Sequence, residues 1–130
     1  ALDTFIRAKV RLSFENPTAS RLFANEILQG APYLSNYISE VLRPRVINRT
    51  KVIEEWMNAG KMAATDPVLL ILMIWATTQH YADFQAQVLG IMGRKEYDDD
   101  LINQVSNFTS QTILRGCGLE PPNTNARGNQ

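Results

Sequence analysis

The sequence predicts an all-α domain of about five helices, and three observations support this. Apolar side chains recur at the i, i+3/i+4 and i+7 spacing of a helix face in each long segment. Asn16-Pro17 and Asp66-Pro67 are typical helix starts, because an Asx side chain caps free amides and proline suits the first helical position. No segment of useful length alternates apolar and polar residues as a half-buried strand does.

The first half of the chain contains three predicted helices. Residues 3–15 and 17–29 each carry one apolar face, and a turn separates them. The third pattern extends over residues 31–59 and has Pro44 inside it. An interior proline removes a backbone hydrogen bond and clashes with the preceding turn, at a cost of about 3 kcal/mol. We therefore expect a helix that is either kinked near Arg43 or divided there, and the lack of a Gly or Asx cluster favours the kink.

Residues 66–92 predict a single central helix. Its first half, residues 68–76, is apolar throughout, whereas polar and apolar residues are mixed in its second half. A helix with this change of pattern is expected to be buried first and to pack against a partner later. At about 1.5 Å per residue it would be roughly 40 Å long, the width of a small domain.

A fifth helix is predicted after a short linker. Three consecutive Asp residues, 98–100, stand where it should begin, and negative charge is favoured at a helix N-terminus. Its apolar face continues until Gly116. Residues 120–130 are rich in Pro, Asn and Gly and show no apolar periodicity, which predicts a disordered tail after a single domain at residues 1–119.

Composition narrows the class of protein. The chain has 130 residues and equal numbers of basic and acidic side chains, 13 of each. A domain that binds nucleic acid by itself is usually basic, so direct DNA binding is not expected. The single cysteine, Cys117, cannot form an internal disulfide and fits a reducing compartment. No apolar run approaches the ~20 residues of a membrane span, and we expect a cytoplasmic protein without membrane contact.

The chain shows no pattern of a catalytic or metal site. His80 and Asp83 are three residues apart on one helix, but a metal needs three or four ligands and no second His is present. A hydrogen-bonded interface histidine is the simpler interpretation. The Asp run lacks the spacing of a calcium loop and is better explained as a helix start. No phosphate-binding loop, nucleophile elbow or paired-cysteine motif occurs, so neither enzyme activity nor a cofactor is predicted.

Trp75 and Gln79 form the most informative pair. At i, i+4 they share one helical face, where Trp75 offers a flat stacking surface and Gln79 an amide donor and acceptor. This combination suits a planar heterocycle with adjacent carbonyl and N–H groups, such as the edge of a nucleobase. The alternative is that Trp75 packs in the core and Gln79 bonds to a neighbouring helix.

Four stretches resemble one family. They are PTASRLFANEILQGAP (17–32), IEEWMNAGKM (53–62), DPVLLILMIWATTQHYADF (66–84) and ILRGCGLEP (113–121). They are similar to the C-terminal effector-binding and dimerisation domain of TetR-family transcriptional regulators. The similarity is greatest to the pyrimidine-utilisation (Rut-type, YcdC-like) subgroup, and it extends from residue 4 to about residue 121.

The resemblance implies a function and a set of partners. Family members are all-α homodimers in which an N-terminal helix-turn-helix domain, outside this chain, binds operator DNA. In the Rut-type subgroup the effector is uracil or a related pyrimidine, and the Trp and Gln of the motif face it. The effector-binding candidates here are therefore Trp75 and Gln79, with the adjacent Thr78.

Dimerisation in the family uses the last two long helices, which pack with their symmetry mates as a four-helix bundle. The residues that the resemblance places in this interface are Tyr81, Phe84, Val88, Leu101, Val105, Phe108, Thr112 and Ile113. The sequence thus predicts the ligand-sensing domain of a transcriptional repressor. A helical dimerisation module without a small effector is the alternative.

Overall fold

The fold is all-α, as the sequence predicts. The computed structural model describes residues 1–122, and these contain seven α-helices and one π-helical turn. The helices are α1 (Leu2–Glu15), α2 (Pro17–Leu28), α3 (Ser35–Tyr37), α4 (Arg43–Asn58), α5 (Pro67–Asp83), α6 (Gln85–Met92) and α7 (Asp99–Gly116), with the π turn at Ile38–Leu42. The predicted tail, residues 120–130, lies almost wholly outside the described residues.

The third predicted helix is irregular where its proline lies. The backbone N–H of Arg43 donates to the carbonyl of Ile38, which closes a π turn immediately before Pro44. This wider turn accommodates a residue that has no N–H and that crowds the preceding turn. The helix also begins later than predicted, because the Glu26 carboxylate accepts the N–H groups of Tyr33 and Leu34 at 2.8 Å and holds a turn there.

The prediction of one unbroken central helix is wrong at Phe84. This residue has φ −117° and ψ 33°, and it divides the 17-residue α5 from the 8-residue α6. On either side of it, Asp83 accepts a hydrogen bond from Ser20 at 2.6 Å and Gln85 accepts one from Arg21 at 3.1 Å. Both bonds come from α2, so tertiary contacts accompany the break in the helix. The apolar pattern of residues 66–92 does not indicate this break.

Asp side chains cap the two longest helices at their predicted starts. Asp66 accepts from the N–H of Leu69 at 3.0 Å, and Asp98 accepts from the N–H of Leu101 at 2.8 Å. Each bond satisfies one of the amides that a helix leaves free at its first turn. The interpretation of the Asp run as a helix start is therefore confirmed.

The core lies where α1, α5 and α7 meet, with α4 packed against α5. The larger cluster centres on side chains with no more than 1% exposure, Ile6, Ile71 and Ile74. A smaller cluster surrounds Val10, Leu101 and Val105, and partly buried Phe14, Tyr81 and Tyr97 pack against it. Within the described residues, no helix is long and apolar enough to cross a membrane.

Burial on α5 differs from the prediction. The first half of the central helix was expected to be buried, but Leu69 is 63% exposed and Met73 is 56% exposed. The other helices cover only one side of α5, which leaves an apolar strip uncovered along its length. A sequence pattern alone predicts that such residues avoid water, but it does not predict whether the same chain covers them.

Candidate functional site

A small cavity lies between α1, α2 and α5. Its volume is about 210 Å³, which suits a single-ring molecule better than a drug-sized one. Gln79 is the α5 residue that faces it. The lining residues are Lys9, Leu12, Ser13, Asn16, Ala19, Ser20, Phe23 and Gln79.

The turn at Asn16 gives this cavity its shape. Pro17 starts α2 directly after α1 ends, so α2 folds back along the side of α1 and α5. The Ser20 hydroxyl, which lines the cavity, donates to the Asp83 carboxylate and fixes α2 against the end of α5. The cavity thus lies between three helices, and this hydrogen bond holds α2 against α5.

Two buried side-chain polar atoms have no hydrogen-bond partner among the described residues. They are the Ser13 hydroxyl oxygen and the indole nitrogen of Trp75. Ser13 is only 4% exposed and lines the cavity. A buried polar group without a partner costs about 1–3 kcal/mol, so such groups often mark a place where a ligand or an ordered water binds.

Lys9 lines the same cavity, but its ammonium lies beside two residues outside the lining, Phe5 and Arg49. Its ammonium nitrogen lies 5.7 Å from the centroid of the Phe5 ring, and the guanidinium carbon of Arg49 lies 4.7 Å from that centroid. Burial lowers the pKa of Lys9, and the charge of Arg49 lowers it further. The ion pairs found in residues 1–122 are Asp3–Arg7 and Arg94–Asp98, and neither involves Lys9 or Arg49.

A much larger groove lies on the opposite side of α5, between α5 and α7. Its volume is about 790 Å³, and it is open to solvent. Phe108 of α7 contributes an exposed ring to it, with 68% of the residue accessible. The α5 residues in the groove are Asp66, Leu69, Leu70, Met73, Ala76, Thr77, His80 and Tyr81. At 3.6 residues per turn, Thr77 in the groove and Gln79 in the cavity project roughly 160° apart around α5.

Comparison with known proteins gives a family for this fold. The sequence profile described as the C-terminal region of YcdC-like proteins matches residues 1–120. The chain belongs to this TetR-type family. The resemblance noted in the sequence is thereby confirmed.

Curated relatives agree with the family match. The HTH-type transcriptional regulators RutR of Escherichia coli (strain K12) and of Shigella flexneri are each 40% identical to this chain over 116 residues. The matched region is 89% of this chain and 55% of each relative, so the chain spans about half the length of the curated relatives it matches. These relatives are regulators and not enzymes, as the sequence predicts for this chain.

The predicted effector residues of this TetR-type domain have different surroundings. Gln79 lines the cavity. Trp75, one turn earlier on the same face, packs partly against the core cluster while its indole N–H is unpartnered. Thr78 is fully buried, and its hydroxyl donates to the carbonyl of Ile74 at 2.7 Å. The Thr78 hydroxyl therefore donates its hydrogen bond within α5 and not to the cavity.

The predicted interface residues fall into two groups. Phe84, Phe108 and Thr112 are exposed and Tyr81 is partly exposed, so these residues are accessible to a partner. Val88, Leu101, Val105 and Ile113 are buried within the single chain. Their assignment to the interface stays a prediction, but in this chain they already pack beneath the surface.

Lys9 and Ser13 are the site residues that sequence reasoning missed. They are four residues apart and therefore share one face of α1. A basic and a hydroxyl side chain at this spacing, beside buried Ile6 and Val10, was the available signal. It was not recognised because a lysine on an amphipathic helix ordinarily extends into water.

His80 and Asp83 do not form a site together. His80 is exposed and stacks on Phe84 with ring centroids 5.0 Å apart, whereas Asp83 bonds to Ser20. Among the described residues, no group of three or more His, Cys, Asp and Glu could hold a metal ion.

Proposed function

We propose that this chain is the ligand-sensing and dimerisation domain of a cytoplasmic transcriptional repressor. A helix-turn-helix domain elsewhere in the full-length protein binds operator DNA. The effector is a small planar molecule, uracil or another pyrimidine. The family supports the regulator, and the resemblance to its Rut-type subgroup supports the pyrimidine.

One observation of the structure carries the ligand part of this proposal. Gln79 lies in a cavity of about 210 Å³ between α1, α2 and α5. An amide that both donates and accepts complements the carbonyl and N–H groups of a pyrimidine edge.

The groove supports the dimer part of the proposal. Exposed apolar side chains from two helices form it, including Leu69, Met73 and Phe108. A contiguous apolar surface of this kind marks an interaction site, and two copies joined through α5 and α7 would form a four-helix bundle. A stable dimer of this sort typically buries ~2,000 Å² or more.

The helix α5 connects the two surfaces. Gln79 projects from one side of it into the cavity, and Met73 and Thr77 project from the other side into the groove. A ligand that prefers one arrangement of the dimer would shift the population towards it and change the spacing of the two DNA-binding domains.

The test is calorimetry on the full-length protein with uracil and with thymine. Gln79→Ala should weaken pyrimidine binding by about 10- to 100-fold, because a buried ligand group then loses its hydrogen bonds. Gln87→Ala, at an exposed position of α6, is the matched control and should bind normally. No heat with either pyrimidine, together with unchanged operator release in Gln79→Ala, would refute the pyrimidine assignment.

A dimerisation module without a small effector is the second candidate. The packing of Trp75 against the core cluster favours it, since this ring is already engaged within the protein. This alternative predicts a dimer by sedimentation and an operator affinity that no pyrimidine changes.

A further inference from the structure

A cleft separates α1 from α4 on the surface of the domain. The two helices, both described along their whole length, do not pack against each other, and α5 lies between them. Ile71 and Ile74 of α5 form the floor of the cleft and are at most 1% exposed, while Phe5 of α1 and Trp56 of α4 line its walls. The volume of the cleft is about 240 Å³. None of its lining residues is shared with the cavity that contains Gln79.

The cleft is lined almost wholly by aliphatic and aromatic side chains. Phe5 and Trp56 give it two aromatic rings, and such rings pack well against the face or edge of a third ring. Arg49 of α4 is the one lining residue within 1–122 whose side chain ionises. Small-molecule sites typically have this composition, an apolar lining with few polar groups that fix the orientation of the ligand.

Arg49 places its charge against one of these rings. Its guanidinium carbon lies 4.7 Å from the centroid of Phe5, which itself lines the cleft. The ion pairs of residues 1–122 do not include Arg49, so no carboxylate of that region neutralises it. A guanidinium presents its N–H donors in a planar fork that matches the two oxygens of a carboxylate.

A second cation lies beside the same ring. The ammonium nitrogen of Lys9 is 5.7 Å from the centroid of Phe5, and the charge of Arg49 adds to burial in lowering the pKa of Lys9. The two cations are therefore close enough to repel each other. Lys9 does not line the cleft, but an anion bound at Arg49 would be attracted by both charges and would offset their repulsion.

We propose that this cleft is a second ligand site, which binds a small aromatic carboxylic acid with its ring between Phe5 and Trp56 and its carboxylate on the guanidinium of Arg49. The site is separate from the proposed pyrimidine site, because Gln79 does not line the cleft. The apolar floor and walls select a ring, and the unpaired guanidinium selects an anion.

The experiment compares three probes by calorimetry on the full-length protein. Benzoate has the ring and the charge, benzamide is its neutral counterpart of nearly the same shape, and acetate carries the charge without the ring. Benzoate should bind about 10-fold or more tightly than either of the other two, because only benzoate both fills the cleft and pairs with Arg49.

Arg49→Met tests the ion pair. It should weaken benzoate about 10-fold or more and leave benzamide within about 2-fold, since only the charged ligand uses the guanidinium. Lys51→Met is the matched control. It removes the same charge from an exposed position roughly 160° away around α4, and it should keep the full preference for benzoate. Thermal unfolding followed by circular dichroism checks that each variant is folded.

A competition experiment tests whether the two sites are separate. Saturating uracil should leave benzoate binding unchanged, and Gln79→Ala should bind benzoate as the unaltered protein does. Displacement of benzoate by uracil would overturn the assignment of the aromatic acid to a second site.

The remaining outcomes decide the ligand class. If benzamide or acetate binds as tightly as benzoate, or if Lys51→Met loses as much affinity as Arg49→Met, the inference is overturned. It is also overturned if benzoate gives no heat with the unaltered protein, which is the result expected when another segment of the full-length protein fills the cleft. None of these results affects the pyrimidine proposal, which uracil binding and Gln79→Ala decide.

Discussion

The two sides of α5 carry pockets that differ in size and in the side chains that line them. On one side, a cavity of about 210 Å³ lies between three helices, and its lining residues include Lys9, two serines, Asn16 and Gln79. On the other side, an open groove of about 790 Å³ is lined mainly by aliphatic and aromatic side chains. A small concave site is suited to a small molecule, whereas a wide apolar surface is suited to another protein.

The difference shows how one 17-residue helix can serve two kinds of partner. The core residues Ile71, Ile74 and Thr78 lie on the part of α5 between the two surfaces and are at most 1% exposed. A well-packed core transmits small displacements because it cannot deform continuously. A substitution on one surface should therefore affect only the partner that binds there, whereas a substitution in the core between them should affect the stability of the whole domain.

The largest effect is expected from the shared core. Ile74→Ala removes a fully buried side chain and should lower the free energy of unfolding by about 2–5 kcal/mol. Denaturant titration measures this change. Leu72→Ala, at a site on the same helix that is 47% exposed, should cost far less, about 0.5 kcal/mol. Equal losses for the two variants would show that Ile74 does not support α5.

An effect confined to the groove is expected from Phe108→Glu. A charge placed on this exposed ring position should weaken self-association of the full-length protein about 100-fold, or ~3 kcal/mol, because it would be buried without a partner. Analytical ultracentrifugation measures the change. Leu22→Glu, at a site on α2 with similar exposure, 66%, should leave the dimer intact.

Ligand binding by Phe108→Glu tests whether the cavity and the groove act separately. Phe108→Glu should still bind the proposed pyrimidine effector within a few-fold of normal, since the cavity lies on the other side of α5. An unchanged dimer in Phe108→Glu would mean that the groove is not the interface.

The smallest effect is expected from Lys9→Met without ligand. The folded pKa of Lys9 lies below its ordinary value of 10.5, so below the folded pKa the charged lysine destabilises the fold. The substitution should therefore stabilise the ligand-free protein by a few tenths of a kcal/mol at neutral pH. This advantage should shrink as the pH rises through the folded pKa towards 10.5, because the native lysine then loses its charge.

Denaturant titrations at several pH values check this sign. Lys61→Met, at an exposed lysine, should show no comparable trend. If the ligand-free Lys9→Met protein is less stable than the unaltered protein at neutral pH, the packing of the lysine side chain stabilises the fold by more than its buried charge destabilises it.

Local signals in the sequence predicted most of the secondary structure. The pair Asn16-Pro17 starts α2, Asp66 and Asp98 cap the helices they were expected to cap, and Pro44 marks the irregular turn. These features depend on residues within a few positions of one another. The shared face of Trp75 and Gln79 was likewise predictable, because helical spacing alone sets it.

Contacts between helices decided the rest. The break at Phe84 accompanies hydrogen bonds from α2, and the exposure of Leu69 and Met73 follows from which helices cover α5. The meeting of Lys9 and Ser13 with Gln79 in one cavity depends on how α1 and α2 pack against α5. The sequence by itself thus determined the helices and their faces, whereas the tertiary structure decided which faces meet, because packing joins residues some seventy positions apart in the chain.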